Sequence, residues 1–144
     1  MRKIVFILAI FLLGGALARS ASAEVAVIVH KDNPVKSIAR LDLELIYLGK
    51  KKMFENGDVI IPADLANESA ARTEFFADVI HKDEDSYRLY WVRMIFSGKG
   101  QPPVAFRSEE EAVRFVATHK GAIAFVDADK LNGEVKAIKV VEDE

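Results

Sequence analysis

The residues best suited to chemistry fall in one stretch, Asp64-Leu65-Ala66-Asn67-Glu68-Ser69-Ala70-Ala71-Arg72. It joins a β-branched run, Val59-Ile60-Ile61, to a segment with helical periodicity. In open α/β sheets, ligands bind beyond the carboxyl ends of the strands. The first amides of a helix have no partner within the helix and suit an anion. Asn67 and Ser69 are both residue types that cap a helix start. Ala70 follows with a backbone amide, and Arg72 adds a guanidinium one turn in. The chemistry this spacing allows is anion binding, with Asn67, Ser69, Ala70 and Arg72 as the candidate contacts. On these residues alone the plainer reading is an ordinary capped helix with a solvated arginine.

No constellation for catalysis accompanies them. His30, His81 and His119 are far apart, and none has a metal-ligating neighbour at motif spacing. Nucleophile elbow, phosphate-binding glycine loop and dinucleotide fingerprint are all missing from the sequence. Gly98-Lys99-Gly100 follows a helical segment, whereas a phosphate loop precedes one. Arg88, Arg93 and Lys99 read as a solvated basic edge, and Trp91 reads as core. The expectation is a protein that is not an enzyme, with no metal and no cofactor.

The elements that must position this stretch can be read from periodicity. Val25 to His30 is an apolar run without a polar face, which predicts a buried strand. Leu41, Leu45 and Leu48 predict a helix that Gly49 stops. Asn56-Gly57 predicts a tight turn, and Val59 to Ile61 a second strand closed by Pro62. Helices are expected from Ser69 to Ile80 and from Asp85 to Phe96. The latter carries Tyr87, Tyr90, Trp91, Met94 and Ile95 on one stripe and Leu89, Val92 and Phe96 on a flank, which predicts the most buried helix of the set. Ser108 to Glu111 is a capping box opening a helix that ends near Lys120. Strands at Ala122 to Val126 and Val135 to Val141 complete the order β-α-β-α-α-α-β-β. That order predicts an α/β domain, a mostly parallel sheet flanked by helices.

The N-terminal segment carries a different message. Arg2 and Lys3 precede an apolar run from Ile4 to Leu17, and Ala21-Ser22-Ala23 has the small-x-small pattern of a cleavage site. These are the three parts of a secretory signal, so residues 1–23 are expected to be removed and residues 24–144 to form one domain. The apolar run is shorter than the roughly 20 residues a bilayer span needs, and no membrane span is expected after cleavage. Three of the 20 Lys and Arg lie in the signal, leaving 17 against 22 Asp and Glu. A domain with that acidic balance is a poor partner for nucleic acid. The chain has no cysteine, so disulfides, thiolate metal sites and cysteine nucleophiles are excluded.

Several segments occur in a familiar order. They are Leu45-Ile46-Tyr47-Leu48-Gly49-Lys50, the Asn56-Gly57 turn, the strand up to Pro62, the helix with Phe75 and Phe76, Tyr90 to Gly98, and Gly121-Ala122-Ile123-Ala124-Phe125-Val126. Together they resemble the phosphate ABC transporter substrate-binding protein family, in a short, single-lobe form. The resemblance covers nearly all of residues 24–144. It implies a single-lobe periplasmic binding protein type II-like domain in the periplasm, with phosphate or another small oxyanion as ligand and a transporter or other periplasmic protein as partner. It places Ser69 on the serine of the family's Ser-Gly-Thr helix-start motif. Ala70 stands at the glycine, Ala71 at the threonine, and the preceding arginine is absent. A periplasmic protein-interaction module on the same fold, binding no solute, is the alternative.

Overall fold

The computed structural model describes residues 24–66 and 69–143; the expected signal segment, residues 1–23, lies outside the described residues, as do Asn67 and Glu68. Six strands form one sheet: β1 (Val25–His30), β2 (Ser37–Ala39), β3 (Ile61–Leu65), β4 (Val104–Phe106), β5 (Ala122–Asp127) and β6 (Val135–Val141), in the order β2-β6-β1-β5-β3-β4. The pairs β2–β6, β3–β5 and β3–β4 are parallel, while β1 runs antiparallel to both β5 and β6. Four α-helices flank the sheet: α1 (Arg40–Tyr47), α2 (Ala70–Phe75), α3 (Glu84–Phe96) and α4 (Glu109–Thr118). The mostly parallel α/β sheet flanked by helices is therefore as expected.

The central strands carry the core. Ile28 and Val29, consecutive in β1, are both buried, as are Ala124 and Phe125 in β5. Consecutive strand residues point to opposite faces, so both faces of the sheet are covered. Phe125 stacks on Phe75 of α2 with centroids 4.0 Å apart, and Tyr47 of α1 meets the edge of Phe75 at 4.8 Å. Each such side chain contributes roughly 2–3 kcal/mol by leaving water. α4 opens with the expected serine cap: Ser108 Oγ accepts from the Glu111 amide, while the Glu111 carboxylate reaches back one residue beyond the cap and accepts from the Arg107 amide.

The second strand lies later in the chain than expected. Val59 is 64% exposed and forms only an isolated bridge with Met53. The strand begins at Ile61 and contains Pro62, paired with Ile123. Proline is tolerated there for a local reason. The Ile61 amide donates to Gly121 on the β5 side, so the nitrogen of Pro62 faces the other side, where β4 begins pairing only opposite Ala63. The three-residue strands β2 and β4 are too short to show a period in the sequence.

α3 is also not the most buried helix. Only Tyr87 and Trp91 are buried in it, while Leu89, Val92, Ile95 and Phe96 are 49%, 41%, 52% and 88% exposed. Its inner face is anchored to the end of α1. The Tyr87 and Tyr90 hydroxyls donate to the carbonyls of Tyr47 and Leu48, at 2.8 and 2.6 Å, in the last turn, where carbonyls lack helical partners. Burial raises the Tyr87 phenol well above its ordinary value, which keeps it a donor. The Trp91 ring lies over Gly49, where a Cβ would come within 2.7 Å of it. Gly49 has φ +70°, a conformation glycine adopts without steric cost.

Candidate functional site

β3, β4 and β5 run parallel, so their carboxyl ends share one edge of the sheet. At that edge β3 leads into α2 and β4 leads through Arg107 and Ser108 into α4. Ser69 is the N-cap of α2: its backbone is extended and its Oγ accepts from the Arg72 amide at 3.0 Å. Ala70 begins the helix and is exposed. Helix geometry leaves the amides of Ala70 and Ala71 without a partner inside α2. Beyond Phe75 the helix widens into one π turn, Phe76–Ile80, ended by His81 in the left-handed conformation. Turns of this kind recur at functional sites.

Arg72 does not point freely into solvent. Its Nε lies 3.2 Å from Asp64 Oδ1 and its Nη1 2.6 Å from Glu84 Oε1, and its guanidinium sits 4.2 Å from the centroid of the Phe76 ring. Asp64 also accepts from the Leu65 amide at 2.7 Å. Burial holds the Asp64 carboxyl above the usual aspartate range, and Arg72 offsets part of that rise. Burial pulls Arg72 the other way, but Asp64 and Glu84 outweigh it and the guanidinium stays charged. One cation thus stands between two carboxylates. With one positive and two negative groups, an anion arriving here meets excess negative charge rather than a bare cation.

Two open recesses flank this pair. One, of about 570 Å³, is lined by Arg72, Phe76, His81 and Lys82 among others. The second, of about 340 Å³, is lined by Asp64, Arg72, Glu84, Trp91, Val92 and Pro102 among others. Arg72 and Glu84 line both and form the ridge between them. Among the described residues, no group of His, Asp or Glu could hold a metal ion, and no helix is long and apolar enough to cross a membrane.

Of the residues singled out in the sequence, Ser69, Ala70 and Arg72 come together at the start of α2, and Asn67 lies outside the described residues. The three histidines stay apart. His30 Nδ1 accepts from the Asp32 amide at 3.0 Å, His119 stacks on Phe115, and His81 ends the π turn 4.0 Å from Glu44. Two further members of the site are Asp64, which lies in the stretch singled out in the sequence but not among its candidate contacts, and Glu84, which lies outside it. Their link to Arg72 spans 8 and 12 residues and depends on how α2 and α3 are placed, which no local pattern encodes.

No family model matches the chain, and no curated protein matches it. Solved structures do resemble its fold. An ABC-type phosphate transport receptor from Vibrio cholerae superposes with a TM-score of 0.62 at 18% identity over 82% of this chain and 46% of its own. A Clostridium perfringens protein assigned to phosphate ABC transport, solved with bound phosphate, gives 0.65 at 20% identity over 82% of this chain and 45% of its own. PstS from Borrelia burgdorferi gives 0.61 at 11% identity over 82% and 47%. The chain thus spans under half the length of each. At these identities the likeness establishes a substrate-binding-protein-like fold.

Proposed function

We propose that the protein is an exported, non-enzymatic binding module that takes a small oxyanion, phosphate first, at the edge where β3 gives way to α2, and serves a transport system in the periplasm after loss of residues 1–23. The observation that carries this reading is a serine-capped helix start that follows the end of β3, where the mostly buried Asp64 holds Arg72 of the same helix. The amides of Ala70 and Ala71 and the Ser69 hydroxyl supply donors for oxyanion oxygens. Asp64 is an acceptor when ionised, so a ligand that reaches it must bring a proton. Phosphate near neutral pH retains one or two; sulfate has none. The fold shared with a protein solved with bound phosphate supports the same choice.

The alternative, a partner-binding module that holds no solute, draws on one observation: Arg72 is already engaged by Asp64 and Glu84. Amide NMR separates the two. Phosphate added to the chain from Glu24 onward should shift the amides of Ser69 to Arg72 saturably, and sulfate should shift them less. Small unsaturating shifts, equal for the two anions and scattered over lysine-rich surface, would remove the oxyanion reading.

A further inference from the structure

The outer face of α3 carries exposed apolar side chains in a row, with charge toward both ends. Leu89, Val92 and Phe96 follow one another at intervals of three and four residues, the spacing of a seam between paired helices, with Ile95 flanking them. The two ends of the helix are oppositely charged. Asp83, Glu84 and Asp85 open it, with Glu84 paired to Arg72 and the exposed Asp85 to Arg88, Arg93 lies in its last turn, and Lys99 follows the Gly98 turn that ends it. Among the described residues, neither Arg93 nor Lys99 takes part in an ion pair.

We propose that the protein forms a two-fold dimer in which α3 of one copy packs antiparallel against α3 of the second, with the axis near Val92. That arrangement sets Leu89 opposite the second copy's Phe96 and leaves the smaller Val92 at the crossing, so large and small side chains interdigitate. It brings Asp85 of each copy toward Lys99 of the other and opposes the two helix dipoles. A two-fold contact requires a patch that complements itself, and the reversal of charge along this helix meets that requirement. The exposed fractions of the four apolar side chains amount to roughly 400 Å² per copy, near the largest patch a monomer ordinarily shows. With flanking side chains, two copies would bury about 1,000 Å² in total, the lower bound of specific interfaces. An interface of that size belongs with the weak, transient ones. Val92 and Ile95 also line the recess beside Asp64 and Arg72, so the second copy would cover that recess on its α3 side.

Sedimentation velocity tests this on the chain from Glu24 onward, from low micromolar to submillimolar concentration. The parent should shift from monomer to dimer across that range. Val92→Glu places two carboxylates at the axis and should weaken association at least tenfold, while its melting curve stays that of the parent. Lys99→Glu should weaken association, and adding Asp85→Lys to it should restore it, because each reversed end then meets a reversed partner. Phe96→Ser gives a second, uncharged route to the monomer. A parent that remains monomeric throughout overturns the proposal and leaves the face to a different protein. A dimer that persists in Val92→Glu and Phe96→Ser overturns it as well. The test needs no phosphate, so its outcome is independent of the proposed ligand.

Discussion

α4 and α3 both carry apolar side chains at helical spacing, and the fold treats them differently. α4 is capped by Ser108 and turns Ala112, Val113 and Val116 into the core against the sheet. α3 is capped by Asp83 and held by Tyr87, Trp91 and two tyrosine hydroxyls, while Leu89, Val92, Ile95 and Phe96 face away. The stripe on α4 is narrow and its far face is charged, so one orientation satisfies it. α3 is apolar on two sides, and the described residues cover one of them. Apolar periodicity identifies a face that favours burial; whether the same chain buries it depends on where the neighbouring elements go.

The largest expected effect tests the inner face of α3. Trp91→Ala should lower unfolding free energy by about 3–5 kcal/mol in urea titrations, because it empties the volume over Gly49. Stability equal to the parent would mean that α3 is not anchored through this ring.

Arg72→Ala comes next, at about 3 kcal/mol, because it leaves the mostly buried Asp64 unpaired. Asp64→Asn in the same chain should recover part of the loss, and a double-mutant cycle measures how much. The carboxyl titration of Asp64, followed by NMR, should have its midpoint above the ordinary value near 3.9, and Arg72→Ala should move it higher. The sign follows from linkage. With the folded pKa raised, protonation of Asp64 favours the folded form. That contribution is complete below the unfolded pKa and is lost as pH rises through the folded one. A midpoint below the ordinary value would show that the ion pair outweighs burial.

The smallest effects compare like with like. Val116→Ala in α4 should cost about 2 kcal/mol, the burial of the lost methyl groups plus a cavity. The same truncation at Val92 in α3, measured at a concentration where the protein is monomeric, should change stability by less than about 0.5 kcal/mol. Equal costs at the two positions would dissolve the contrast between the helices.

What the sequence discloses follows the same division. β1, β5, the Ser108 cap, the Gly49 stop and the start of α2 at Ser69 rest on short-range patterns, and the fold matches them. In the sequence Pro62 marks the end of a strand, because proline usually excludes itself from a ladder. Its place inside β3 depends on where β4 begins, which is a tertiary fact. The outward face of α3 and the capture of Arg72 by Asp64 and Glu84 are tertiary too. The expected signal, residues 1–23, and the expected contact at Asn67 concern positions outside the described residues.

The central claim is that the edge at Ser69, with Asp64 beside it, holds a protonated oxyanion. Titration calorimetry of the chain from Glu24 onward, with phosphate and sulfate at the same ionic strength, tests it most directly. The account predicts saturable phosphate binding that weakens in Ser69→Ala, and weaker or no binding of sulfate. No saturable heat with phosphate at millimolar concentration, or equal binding of the two anions, would contradict it.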